Sequence, residues 1–448
     1  MQKTFFMAAA MLLTAVSLAA GQLKLECSVN KKDAIFKAGE KIVFQAKLLE
    51  DGKAPGSDRK IYYRLVHDHK VIKSGTVAGT ETLSFETASA KPAWVFLDLR
   101  VKDQNDQFVR QEVKKDGKPA PLVTGGIGAM VDPEKILPPM QEPADFDAFW
   151  DKVKKELAAV PMKVLEKVQV PDDRANVYDV KIACAGEKPV SGYLCIPKDA
   201  KPRSCPAYVS FHGAGVRSSG KPVWMAAKGL IALDINAHGI ENGKPADFYT
   251  DLYKNHYYAR QGKTNIRHYA HWGKSDRDQF YFKGMYMRVM RALEYVKSLP
   301  EWDGKYLIVA GGSQGGAQVL AACALDKDIT FARANVPAMC DHSGCLGDRR
   351  SGWPALYKAG EVKTKPEFAR CASYYDGAYF AKRIKCPIYI NTGFMDTTCP
   401  PTSVFAAYNS IPAGVEKAMQ TDPQGGHSTP HTDGLKALNR YIDSIMKK

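Results

Sequence analysis

A short stretch in the second half of the chain has the residue types and spacing for acyl chemistry. The apolar run Lys305-Tyr306-Leu307-Ile308-Val309-Ala310 leads straight into Gly311-Gly312-Ser313-Gln314-Gly315-Gly316, and AQVLAACAL follows with helical character. Gly-x-Ser-x-Gly between a strand and a helix is the nucleophile elbow. The turn is tight enough that side chains at Gly311 and Gly315 would collide, and it holds the serine strained and exposed. Serine at its ordinary pKa is a poor nucleophile. It needs a base, and the base needs a carboxylate to orient it. In this arrangement the chain order is serine, acid, histidine. Only His342, His427 and His431 follow Ser313. No acid-bearing strand end separates His342 from the serine, so it fits poorly. His427 closes Gly425-Gly426-His427, a loop supple enough to carry an imidazole over the elbow, and His431 is the second choice. For the acid, Asp396 follows the apolar strand of PIYINTGFMD directly, whereas Asp376 and Asp422 read as surface or turn residues.

An oxyanion formed at the elbow needs backbone donors. The helix start offers the amide of Gln314. A second donor is expected in the turn after AYVSF, His212-Gly213-Ala214-Gly215, where Ala214 aims its amide and His212 is structural. Other polar constellations are weaker. His67 and His69 share a strand face without a third ligand, and His256, His268 and His271 lack the glutamate and helical setting of a zinc hydrolase, so neither a metal nor an organic cofactor is expected. Ten cysteines form no Cys-x-x-Cys pair. Cys195 and Cys323 lie in apolar runs and read as buried. Disulfides remain open, with Cys340 and Cys345 the closest pair.

The elements that must position these residues form an alternating series. Apolar β runs at 177–184, 191–197, 207–211, 230–235, 306–310 and 387–391 alternate in their later part with helices, the clearest over 284–298. Met285, Val289, Ala292, Leu293 and Val296 share one face of it. The pattern predicts an α/β fold, a mostly parallel sheet with helices on both faces. Active residues in such sheets lie past the carboxyl ends of strands. This domain is expected over 144–448, and its first helix carries Phe146, Phe149, Trp150, Val153 and Leu157 as a docking face. Residues 22–125 alternate with period two in KIVFQAKLL, KIYYRLV and AWVFLDLRV, which predicts a small immunoglobulin-like β-sandwich. Residues 126–143, rich in Gly, Pro and Met, read as a linker.

Residues 1–20 are apolar behind Lys3 and end in small residues, the pattern of a secretory signal peptide cut near Ala19 or Ala20. The mature chain is therefore expected to be exported, periplasmic or extracellular, and free of the membrane after cleavage. The chain has 448 residues, 63 Lys+Arg against 48 Asp+Glu, and a formal net charge of +15. That charge is dispersed, without the clustered basic stripe a nucleic-acid partner requires. Length and a 45% apolar content exclude a disordered chain and a small disulfide scaffold.

DFDAFW, the Phe211-His212-Gly213 turn, YFKGMYMRVMRALEYVKSLPEWDG, the Gly-Gly-Ser-Gln-Gly-Gly elbow and GFMDTTCPP together resemble the acetyl xylan esterase/cephalosporin C deacetylase family, carbohydrate esterase family seven. The resemblance covers about residues 138–446. It implies an α/β-hydrolase that removes acetyl groups from small acetylated sugars, with Ser313, Asp396 and His427 as triad and frequent assembly into ring-like hexamers, hence a homo-oligomer. Three positions depart from the family pattern. Asn236-Ala237-His238 replaces Arg-Gly-Gln, Ala214 replaces a common tyrosine, and Ser428 follows His427 in place of glutamate. Two other readings stand beside the esterase. A prolyl-oligopeptidase-like peptidase shares the elbow and the residue order, but its usual β-propeller needs more than the hundred residues available. A non-catalytic glycan-binding protein on a hydrolase fold would not need the intact elbow.

Overall fold

Two small sheets make up the N-terminal part of the computed structural model, which describes residues 22–111, 120–261 and 264–447. The expected leader lies outside them. In β3 (Ile42–Glu50), Ile42, Phe44, Ala46 and Leu48 point inward while Gln45 and Lys47 face water. β1 (Leu23–Val29), β3 and β6 (Leu83–Thr87) form one antiparallel sheet in the order β1-β3-β6. The second sheet contains β2 (Ile35–Phe36), β4 (Lys60–His67), β5 (Lys70–Ala78), β7 (Ala93–Lys102) and β8 (Thr124–Val131), in the order β2-β8-β7-β4-β5. The two sheets share one apolar core that includes Phe36, Phe44, Leu65, Trp94 and Leu97.

The expected linker needs correction. Residues 126–131 belong to β8, which pairs antiparallel with β7 along its length. Gly126 and Gly128 are there for close packing. A Cβ at Gly128 would come closer than 3.0 Å to the backbone of Phe394, and one at Gly126 equally close to Leu97 O and to Met395. A flexible joint and a close contact both select glycine, and only the fold distinguishes them. The chain beyond β8 makes a short 3₁₀ turn at Pro133–Lys135 before the helix Phe146–Ala158.

The remaining chain builds a nine-stranded sheet from β9 (Val164–Val170), β10 (Asn176–Ile182), β11 (Val190–Ile196), β12 (Cys205–Phe211), β13 (Ile231–Ile235), β16 (Trp302–Gly312), β17 (Phe331–Asn335), β18 (Ile388–Gly393) and β19 (Lys417–Asp422). β14 (Tyr258–Gln261) and β15 (Thr264–His268) form a separate hairpin. The order across the large sheet is β19-β18-β17-β16-β12-β13-β11-β10-β9. Neighbours from β19 to β13 run parallel, and β11, β10 and β9 join antiparallel.

Every residue of β11 is buried, as strands covered on both faces must be. Helices Phe146–Ala158, Tyr281–Lys297 and Gln314–Leu325 contribute to the core of one face. Thr432–Met446 closes the other through Ala437, Leu438, Ile442 and Ile445. The predicted helix at 284–298 starts earlier, at Tyr281, and buries all five residues of its expected face. The first helix also docks as its pattern indicated, with Trp150 Nε1 donating to Tyr374 O at 3.0 Å. All ten cysteines are free thiols, so Cys340 and Cys345 are not bridged. Among the described residues no helix is long and apolar enough to cross a membrane.

Gly128→Ala forces a methyl group into the backbone of Phe394 and is expected to lower stability by about 1–3 kcal/mol. Gly414→Ala, where the added carbon meets nothing within 4 Å, should stay within about 0.5 kcal/mol of the parent. Denaturant midpoints of the two variants check the contrast.

Candidate active site

β16 ends at Gly312, and the next residue, Ser313, has φ 56 and ψ −121 before the helix Gln314–Leu325 begins. A non-glycine residue with that φ carries about 1–3 kcal/mol of strain and persists only where its surroundings hold it. Here they do. Ser313 N donates to Asn335 O at 2.9 Å, and Ser313 O accepts from Ala338 N at 3.0 Å and from Ala317 N at 3.1 Å. A Cβ at Gly311 would fall closer than 3.0 Å to the carbonyls of Gly315 and Phe211, and one at Gly315 would strike Phe211 O. The two glycines marked from the motif are thus required by backbone crowding.

Asp396 lies in the turn beyond β18, with its side chain wholly buried. Its Oδ1 accepts from the amides of Thr398 at 2.8 Å and Cys399 at 2.9 Å. Its Oδ2 meets His427 Nδ1 at 2.8 Å. His427 stands on the loop after β19, which Asp422 organises by accepting from Gln424 N at 3.0 Å and Thr429 Oγ1 at 2.9 Å. The acid and base loops are tied to each other as well. Phe394 N donates to Asp422 O and Met395 N to Gly425 O, each at 2.8 Å. His427 Nε2 then lies 3.0 Å from Ser313 Oγ. A carboxylate can only accept, so the Nδ1 facing it carries the proton and Nε2 is left to accept from the serine hydroxyl. His427 keeps 34% side-chain exposure, which leaves the site open to solvent and substrate.

The helix start leaves the Gln314 amide without an intrahelical acceptor. The turn bearing Ala214 abuts the elbow: a Cβ at Gly213 would sit 3.3 Å from Gly312 O and 3.5 Å from Ser313 Cβ. The turn that carries Ala214 and the helix start that carries Gln314 thus both adjoin the serine. Sequence reasoning missed the aromatic layer behind them. Tyr269 is buried and its hydroxyl donates to Gln314 Oε1 at 2.7 Å. His238 packs its ring against Tyr269 and Tyr257 at 4.7 and 4.5 Å, and its Nδ1 bonds the Tyr281 hydroxyl. A run of Tyr, His and Trp over 253–281 was the available signal.

Burial pushes the His238 imidazole well below its usual range and that of His212 down to about 4, so both are neutral at pH 7. The Cys399 thiol adjoins Ser313, and burial with the Asp396 charge drives its pKa upward, so it keeps its proton. Asp396, Cys399 and His427 bring ligand atoms within 4.8 Å of one another, the one such group among the described residues. Two of the three are already joined in the hydrogen bond that orients the imidazole.

The alternatives fall elsewhere. His342 is buried with its pKa pushed down to about 3. His431 precedes the helix Thr432–Met446 as its N-cap. Asp376 anchors a loop by accepting from the amides of Asp341, His342 and Ala378. His69 approaches Asp348, and His268 Nδ1 accepts from Ala270 N. What converges is a hydroxyl, a base and an orienting acid, a set suited to transferring an acyl group through serine.

The chain is similar to known proteins over the same region. The acetyl xylan esterase (AXE1) family model matches residues 134–434. Acetyl esterase Axe7A of Xylanibacter ruminicola is 34% identical over 319 residues, covering 70% of this chain and 69% of its own. The acetyl xylan esterase from Paenibacillus sp. R4 aligns at 29% identity and TM-score 0.58, over 70% of this chain and 98% of that structure. Acetyl xylan esterase 1 from Thermoanaerobacterium sp. JW/SL YS485, at 22% identity and TM-score 0.57 over 69% and 97%, shares the α/β-hydrolase fold.

Tyr269→Phe strands the buried Gln314 Oε1 without a donor. It is expected to lower stability by about 1–3 kcal/mol, read from chemical denaturation.

Proposed function

The chain belongs to the acetyl xylan esterase family, and on that footing we propose that it removes acetyl groups from acetylated sugars or xylo-oligosaccharides through an acetyl-serine intermediate on Ser313. It is a carboxylesterase of that family. The observation that supports the mechanism is the continuous relay from Asp396 Oδ2 to His427 Nδ1 at 2.8 Å and from His427 Nε2 to Ser313 Oγ at 3.0 Å.

Ser313 Oγ attacks the acetyl carbonyl carbon as His427 Nε2 takes its proton, and Asp396 stabilises the imidazolium so formed. The carbonyl oxygen, now negative, is held by the amides of Ala214 and Gln314. When the tetrahedral species collapses, the bond to the sugar oxygen breaks and His427 returns the proton to that oxygen. Water then attacks the acetyl-serine, again giving a proton to His427, and acetate leaves as Ser313 regains its hydroxyl hydrogen. The strained elbow holds Oγ in place before substrate arrives, so little reorganisation is required at the moment of attack.

An export route fits this substrate class. The apolar leader of residues 1–20 supports a periplasmic or extracellular mature protein, in which the N-terminal sheets form a β-sandwich unit ahead of the hydrolase domain.

Two measurements test the reading. With p-nitrophenyl acetate, Ser313→Ala should lose on the order of 10⁵–10⁶ in kcat, and Asp396→Asn about 10⁴ with the fold retained. Equal turnover by Ser313→Ala and the parent overturns the mechanism. Expressed from its full reading frame, the chain should be recovered outside the cytoplasm with a new N-terminus near residue 20. A full-length cytoplasmic product overturns export.

A further inference from the structure

The family match begins at residue 134, so β1 to β8 lie outside it. Those strands nonetheless touch both loops that carry the acid and the base. Trp94 on β7 is wholly buried, and its indole Nε1–H donates to Phe394 O at 2.7 Å. Phe394 lies two residues ahead of Asp396. On β8 the amide of Gly128 donates to Pro423 O at 2.8 Å, four residues ahead of His427. From the other sheet, Cys27 O accepts from Gln424 Nε2 at 2.9 Å. The apolar contacts agree with the hydrogen bonds. Phe394, Phe405 and Ala406 belong to the same buried core as Phe36, Trp94 and Leu97. The Trp94 ring is itself fixed by stacking on Phe96, with centroids 4.3 Å apart.

Ser313 stands on a different support, the β16 elbow and its neighbours. The acid and base are thus seated on a floor built by the N-terminal sheets, and the nucleophile is not. We propose that Trp94 is a positioning residue for hydrolysis, its indole holding the Phe394 carbonyl so that the turn aims Asp396, and through it His427, at Ser313. This rests on the triad described above. A buried carbonyl that loses its donor must find another or move, and a displacement of about 1 Å at a reacting pair can cost roughly 10² in rate. Binding of the acetyl group, which depends on the elbow side of the site, should be little affected.

The test uses the full chain. Trp94→Phe keeps an aromatic ring and deletes the N–H. It is expected to lower kcat on p-nitrophenyl acetate by about 10- to 100-fold with KM within about twofold, and to slow fluorophosphonate labelling of Ser313 in proportion. Ile61→Ala serves as the stability control. Ile61 is buried on β4 opposite Val101, about 23 Å along the sheet from Trp94, so it should weaken the N-terminal core and leave kcat within twofold. Gln424→Ala, on the exposed side of the same seam, should lower kcat about threefold or more at unchanged KM, and it carries the test if Trp94→Phe does not fold. A parent-like kcat in Trp94→Phe, or a loss matched by Ile61→Ala, overturns the proposal. Ser313→Ala separates the two claims: if it abolishes turnover while Trp94→Phe and Gln424→Ala are fully active, the triad stands and the brace falls.

Discussion

The site depends on a backbone that turns more sharply at Ser313 than an ordinary residue allows. The φ of 56 there is tolerated because no side chain stands at Gly311 or Gly315, where the carbonyls of Gly315 and Phe211 occupy the space a Cβ would need. The strain of about 1–3 kcal/mol is small beside what the following helix contributes. That helix buries Val319 and Leu320 completely, and each such side chain is worth about 1.5–3 kcal/mol. Core formation and nucleophile presentation are therefore one event: the helix cannot pack without forcing the serine into its exposed geometry.

The electrostatics of the site follow from what is kept neutral around one buried charge. A carboxylate without water is costly unless its oxygens are hydrogen-bonded. Asp396 meets that condition with two amides on Oδ1 and the imidazole on Oδ2. His212 and His238 are driven by burial to the neutral form, so neither adds a positive charge to the region behind the elbow. The Cys399 thiol beside Ser313 keeps its proton, which leaves the serine without a competing anion.

What could be read in the sequence was local or followed from chain order. The elbow is contained in twelve consecutive residues, and a strand end followed at once by an acid identified Asp396. His427 followed from the order of the triad together with two glycines. Features set by tertiary contact were not legible. Gly126 and Gly128 have the composition of a linker, and only the approach of Phe394 and Met395 explains them as strand residues. The layer of His238, Tyr257, Tyr269 and Tyr281 comes from segments more than forty residues apart at their extremes, and nothing in their spacing links them to Gln314.

The same distinction applies to the N-terminal sheets, which the sequence shows only as a β-sandwich followed by a linker. Their alternating strands account for an internal core, and pattern alone predicts no use for the outer surface of β7 and β8. In the fold that surface meets Phe394, Met395 and Pro423, and the carbonyls of Phe394 and Pro423 are satisfied by Trp94 and Gly128 in place of water. A turn whose carbonyl is bonded by the N-terminal sheets cannot move without breaking that bond or carrying those strands with it. The acid and base loops are accordingly held by the bonds from Trp94, Gly128 and Gln424, whereas the nucleophile is braced by Asn335 and Ala338. Two supports of different origin meet at the 3.0 Å between His427 and Ser313.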